Sequence, residues 1–226
     1  MLYYNNVKNI DTTHLDTSQV TNMSSMFYNC ASLTSLDVSN FNTSNVTTMS
    51  YMFFKCYNLA SLDLSGFDTS KVTDFFRMFS SCQLVKTIDV SKWNTAKVTD
   101  MSYMFYRCRT VNKIDVSKWN TSSVTNMERM FQDCKNAAGR VVLNARKIAG
   151  GSYVLMFSNC NKLTEMICYY EETTDNINAF DRWLQLTAQG TRGKMYVPTG
   201  SPFANGGYSI PDNWDIITFD NIEEIP

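Results

Sequence analysis

Six of the seven cysteines, Cys30, Cys56, Cys82, Cys108, Cys134 and Cys160, stand 26 residues apart, and each follows a Met-Phe pair at the same offset. A period of that fidelity restricts the chain to a stack of similar coils, because one 26-residue unit has too little interior of its own and must share both faces with neighbours. In register, Leu33-Thr-Ser-Leu36-Asp37-Val38-Ser39 recurs as Leu59-Ala-Ser-Leu62-Asp63-Leu64-Ser65, then from Val85 to Ser91 and from Val111 to Ser117. An aromatic follows (Phe41, Phe67, Trp93, Trp119), then Asn or Asp and Thr, then Val-Thr-x-Met or Val-Thr-x-Phe, and finally Met-Phe-x-x-Cys.

Each unit changes its apolar period halfway. Leu62-Asp63-Leu64-Ser65 alternates, as a half-buried strand does. Val72, Phe75, Met78, Phe79 and Cys82 are spaced as the buried stripe of a helix. Thr21, Thr47, Thr73, Thr99 and Thr125 precede that stripe, where a hydroxyl can cap a first helical turn. The expectation is therefore α/β: a solenoid with a parallel β-sheet on one face, short helices on the other and right-handed crossovers. The sixth unit, Lys135 to Cys160, lacks the Asp, the aromatic and the Thr, and is expected to stack through Val142, Met156, Phe157 and Cys160 with an altered turn.

The 226 residues are 44% hydrophobic and 18% charged, with a formal net charge of −1, so no whole-molecule field draws the chain to nucleic acid or to lipid headgroups. No apolar run is long enough to span a bilayer, and the opening residues lack the basic-then-apolar pattern of a secretion signal.

The consensus Leu-x-x-Leu-Asp-Val-Ser-x-Phe-Asp-Thr-Ser-x-Val-Thr-x-Met-x-x-Met-Phe-x-x-Cys resembles the repeat of the BspA-like leucine-rich-repeat surface proteins of bacteria, over about residues 5–168. The resemblance implies a right-handed leucine-rich-repeat solenoid in a cell-surface or secreted protein that works in adhesion, and it brings no catalytic residues. The segment holding Asn178-Ala-Phe-Asp-Arg-Trp-Leu, Met195-Tyr-Val-Pro and Ile210-Pro-Asp-Asn-Trp214 is similar to those that follow such repeats. The chain is thus expected to divide into a solenoid of about six units, 1–168, and a small α+β capping module, 169–226.

Three columns of side chains could carry function. Each of the six periodic cysteines closes an apolar stripe, where a free thiol acts as a small hydrophobe, so they are expected to form a buried structural ladder. With one histidine, no Cys-x-x-Cys pair and a linear arrangement, no metal site is expected, and Cys168 falls at an inward strand position. Asp11, Asp37, Asp63, Asp89 and Asp115 alternate with inward Leu and Val and should line the outer sheet face. Their mutual repulsion requires an offset: either Ser35, Ser61, Thr87 and Lys113 donate hydrogen bonds, or the row forms a groove for a cation or ligand. Aromatics also recur on the outer side of the stripe, Tyr28, Phe54 and Tyr106 in one column and Tyr51 and Tyr103 in another. They serve either in packing between coils or as anchors for a protein partner.

A uniform carboxylate row offers no asymmetry to separate acid from base, and His14 has no nucleophile at a fixed spacing, so no enzyme and no cofactor are expected. Beyond Glu171, Ile177, Phe180 and Leu184 are spaced as one helix, with short strands at Lys194–Val197 and Ile216–Phe219. This module is expected to cap the array, the alternative being that Trp183, Tyr208 and Trp214 line a carbohydrate site. The leading functional expectation is a non-enzymatic binding or adhesion module for a protein or glycan, host-derived ligands included. A structural part of an assembly is the alternative.

Overall fold

The computed structural model describes residues 7–112, 114–116, 118–137, 139–145, 155–160, 162–170, 193–199 and 214–220. Successive 26-residue units lie one upon the next, joined by backbone hydrogen bonds from each unit to its neighbour. The N–H groups of Met23, Ser25, Phe27 and Asn29 donate to the carbonyls of Thr48, Ser50, Met52 and Phe54. The same four positions of the second, third and fourth units bond to the unit after, and Phe131 and Asp133 bond to Met156 and Ser158. Isolated parallel bridges link Asn22, Thr48, Asp74, Asp100 and Asn126 along the stack.

The stripe predicted as a helix is a ribbon of consecutive turns, and no helix occurs among the described residues. Alternate N–H groups go to the next coil, while those between them close on the carbonyl three residues back: Met26 to Met23, Tyr28 to Ser25, Cys30 to Phe27. Such winding requires left-handed backbone at two positions per unit. Ser25, Tyr51, Arg77, Tyr103, Arg129 and Leu155 form one column with φ of 53–59°, and Asn29, Lys55, Ser81, Arg107, Asp133 and Asn159 form a second with φ of 57–68°. None is glycine, so each costs about 1 kcal/mol or more, and the conformation persists because neighbouring coils fix it on both sides. The threonines expected to cap helices instead link coils: the hydroxyls of Thr47, Thr73, Thr99 and Thr125 donate to the carbonyl of the Thr one unit earlier, at 3.1–3.2 Å.

On the other side of the coil, Leu36, Val38, Ile88 and Val90 are buried while Asp37, Ser39 and Asp89 are exposed and Ser91 is half-buried, the alternation expected of strands. Yet among the described residues no strand forms at these places in the first five units, and the backbone bonds that cross there include Thr34 to Lys8, Ala60 to Thr34 and Asn112 to Lys86. The Asp carboxylate captures the N–H two residues on, which a ladder would need. Regular strands appear where the sequence loses that Asp-x-Ser: β1 (Gly139–Ala145) and β2 (Leu163–Tyr170) occupy the equivalent places of the next two units. With β3 (Gly193–Pro198) and β4 (Trp214–Phe219) they form one parallel sheet of order β1-β2-β3-β4. The last two coincide with the short strands expected in the tail, and β2 runs across residue 168. The expected helix around Ile177, Phe180 and Leu184 lies outside the described residues, as do the side chains of Val142 and Cys168.

Two ladders fill the interior. Phe27, Phe53, Phe79, Phe105, Phe131 and Phe157 stack with centroids 5.2–5.6 Å apart and planes within 11° of parallel. All are essentially inaccessible, so the ribbon side of every coil is closed by ring on ring. Beside them, buried Thr17, Thr43, Thr69 and Thr95 each donate to a carbonyl of the next coil, at Asn42, Asp68, Asn94 and Asn120. Thr17 and Thr43 also accept the backbone N–H of Asn42 and Asp68. The sixth unit stacks through Met156, Phe157 and Cys160, all buried.

Candidate binding surface

The cysteine column is internal. Cys30, Cys56, Cys82, Cys108, Cys134 and Cys160 are buried and free, and from Cys56 onward each thiol donates to the carbonyl of the Phe 29 residues earlier, at 3.0–3.2 Å. Burial, which penalises the thiolate, pushes Cys82 and Cys160 up to about 12 and raises Cys56, Cys108 and Cys134 well above the ordinary thiol range. Groups so protonated and enclosed are packing elements.

The aspartates lie on the opposite side, where Asp11, Asp37, Asp63 and Asp89 are exposed and Asp115 is half-buried. Their hydrogen-bond donors differ from those expected. Asp37, Asp63 and Asp89 accept the backbone N–H of Ser39, Ser65 and Ser91 at 2.9–3.0 Å, and Asp11 accepts both the N–H and the hydroxyl of Thr13. Ser35 turns instead to Asn9 at 3.1 Å, and Lys113 lies outside the described residues. These local bonds hold Asp11, Asp37 and Asp63 below the usual carboxylate range, and at Asp63 they outweigh the repulsion from Asp37 and Asp89. An acidic column with this internal supply of donors needs no cation to exist.

The same device recurs twice more per coil. Asn42, Asp68, Asn94 and Asn120 accept from the residue two on, as do Asn22, Asp74, Asp100 and Asn126. The recurrent Asp and Asn are therefore turn formers. A polar cleft of about 380 Å³ lies along the aspartate row, lined by Thr87, Ile88, Asp89, Ser91 and Asp115. No cluster of three or more metal-ligating side chains occurs among the described residues.

The aromatic columns converge on the outer side of the turn ribbon, and there Tyr51, Tyr103 and Tyr106 come together. Tyr28 contacts Phe54 and Tyr51, Tyr51 contacts Phe76, Phe76 contacts Tyr103, and Tyr103 contacts Tyr106, with centroids 5.0–6.1 Å apart. The strip crosses four coils. Most of its rings are half-buried, so part of each faces outward, while Phe54 is covered.

Cations lie over these rings. Arg77 is 4.4 Å from the Tyr103 centroid and 5.3 Å from that of Phe76, Arg107 is 4.9 Å from Tyr106, Arg129 is 5.6 Å from Tyr103, and Lys55 is 5.2 Å from Phe54. Glu128 accepts the Tyr103 hydroxyl at 3.0 Å. Phe76, Arg77 and Arg129 were not singled out from the sequence. The signal was there: Tyr51, Arg77, Tyr103 and Arg129 occupy one register position in four consecutive units.

The alternative carbohydrate site in the tail finds no support at Trp214. Its indole is buried against Gly193, where even a Cβ would meet the ring at 2.4 Å, so Trp214 offers no open face. Trp183 and Tyr208 lie outside the described residues. Among the described residues, no helix is long and apolar enough to cross a membrane.

No curated protein and no solved structure matches the chain significantly. One family model matches twice in tandem, over residues 1–87 and 83–170, along the 26-residue repeat. The chain is thus a repeat protein and belongs to the DUF285 family, described as Mycoplasma protein of unknown function.

Proposed function

We propose that this chain is a non-enzymatic binding module of a surface-displayed or secreted bacterial protein, its coils a right-handed leucine-rich-repeat type of solenoid with turns in place of helices, and that it recognises a protein partner through the outer side of the turn ribbon. The observation that carries this reading is the continuous aromatic and cationic strip across four coils. Tyrosine and arginine held rigidly and part-exposed are the residues on which protein interfaces most often depend. The rings here are fixed by left-handed backbone and by their neighbours, so little side-chain entropy is lost on contact. The aspartate side supports the assignment by contrast, because its carboxylates are spent on their own turns.

An unbiased pull-down from a host membrane-protein extract tests the reading, with wild-type chain, Tyr51→Ala/Tyr106→Ala and Asp63→Ala/Asp89→Ala as baits. The expected result is a partner retained by the wild-type and aspartate baits and lost from the tyrosine bait, whose thermal midpoint stays well above the assay temperature. Loss from the aspartate bait alone would move the site to the other side of the coil. No partner specific to the folded chain would end the binding reading.

A further inference from the structure

Resting on that reading, we infer that the strip's partner is an acidic protein segment, gripped by a two-cation clamp formed by Lys55 and Arg77 around the Phe54 ring. The ammonium of Lys55 lies 5.2 Å and the guanidinium of Arg77 5.9 Å from the Phe54 centroid, so two positive charges gather at one buried ring. The other two arginines of the strip have carboxylates at hand: Arg107 meets Asp133 at 3.5 Å and Arg129 meets Glu128 at 3.2 Å. Neither Lys55 nor Arg77 has an acidic partner among the described residues.

The acids nearest in register are committed elsewhere. Asp74 accepts from the Phe76 N–H and the Thr48 hydroxyl, and Asp100 from the N–H and hydroxyl of Ser102 and from the Asn126 amide. The Arg77 Nε is buried with no acceptor, which leaves the two terminal nitrogens to engage an anion. A guanidinium held 4.4 Å from the Tyr103 centroid is restrained at one place, which suits the two-pronged contact a carboxylate makes.

Ring geometry favours a peptide over a sugar. Sugars stack on open ring faces, but Arg77 lies over Tyr103, Arg107 over Tyr106 and Lys55 over Phe54. From Tyr51 to Tyr106 adjacent rings cross steeply, at 88° for Tyr51 and Phe76, 86° for Phe76 and Tyr103, and 71° for Tyr103 and Tyr106, so no flat platform runs along that part of the strip, and Phe54, which stacks with Tyr28, is itself buried. The half-buried Lys55 and Arg77 thus present charge beside part-exposed rings. That surface suits closely spaced carboxylates interleaved with an apolar side chain.

The test uses the full chain and two fluorescent nine-residue peptides, one with a central Glu-Leu-Glu and a twin with Gln-Leu-Gln, read by anisotropy at low and at physiological salt. The Glu peptide should bind at least about tenfold tighter than its twin, with the preference shrinking as salt screens the charges. Lys55→Met/Arg77→Met should abolish that preference, Arg77→Lys should retain part of it, and Asp63→Ala should leave it intact, all with thermal midpoints near wild type. Equal binding of the two peptides, a preference that survives Lys55→Met/Arg77→Met, or tighter Arg77-dependent binding of a heparin fragment than of the Glu peptide would each overturn the clamp. A pulled-down partner lost with Tyr51→Ala/Tyr106→Ala but kept by Lys55→Met/Arg77→Met would retire the clamp while leaving the protein-binding strip standing.

Discussion

Residues 22–30 and residues 33–39 of the same coil face one problem, how to satisfy backbone N–H groups while burying alternate side chains, and they solve it in opposite ways. On the ribbon side the backbone does most of the work: after one opening turn closed by the Asn or Asp side chain, every second N–H reaches the next coil and those between close turns, which leaves the later side chains to project outward. On the aspartate side the side chains do the work: each carboxylate takes the N–H two residues on, and the strand ladder that alternation invites does not form. The ribbon can therefore display Tyr, Arg and Lys without spending them on its own backbone. The aspartate side consumes the groups it displays, which is why the functional reading rests on the ribbon.

The largest expected difference between the two sides is their response to pH. The ribbon's thiols have folded pKa values raised by burial, so their contribution is complete below the unfolded value near 9.0 and is lost as pH rises toward the folded values, about 12 at Cys82 and Cys160. The unfolding free energy therefore falls steadily with pH across that window, and the five thiols with raised values act in the same direction. A thermal midpoint that is flat from pH 6 to 8 and collapses above about pH 9.5 is expected, with a shallower fall in Cys82→Ala/Cys108→Ala. An identical midpoint at pH 7 and pH 10.5 would contradict the thiol ladder. The aspartates act with the opposite sign: their depressed values give a contribution present above the ordinary carboxylate range and lost on acidification, and it should be shallow because these groups are exposed.

A smaller contrast lies where the two sides meet. The Trp119 indole donates to the Val90 carbonyl at 3.0 Å, whereas the Trp93 indole N–H is buried without an acceptor. Trp119→Phe should cost about 1 kcal/mol more than Trp93→Phe in urea unfolding, because it removes a made hydrogen bond whereas the second substitution removes a buried donor that has no acceptor among the described residues. Equal costs would mean that ring volume alone matters.

The smallest effect carries the clearest sign. At Ser25, with φ of 59°, Ser25→Gly should stabilise by up to about 1 kcal/mol, since glycine adopts left-handed backbone without strain. In a helix the same change would destabilise by about that amount. A lowered midpoint in Ser25→Gly would restore the helix and remove the ribbon.

The repeat length, the identity of the buried positions and the constancy of the Cys and Phe columns all follow from the amino-acid order, because a 26-residue recurrence of apolar residues leaves stacking as the way to hide them. Local winding did not follow. Met23, Met26, Phe27 and Cys30 are spaced three, one and three apart, and a helix and a chain of three-residue turns bring such positions to the same side alike. What separates the two is whether alternate N–H groups find carbonyls in the next coil, a partner some 25 residues away that no local pattern encodes. The strand at Leu36–Ser39 failed for a neighbouring reason: alternation reads burial, while the competition between Asp37 and the adjacent coil for the Ser39 N–H is settled by distance and angle. The clamp belongs to the same class. Register places Lys55, Phe54 and Arg77 in adjacent coils, but only the stacked structure brought both cations to one ring with no carboxylate partner among the described residues.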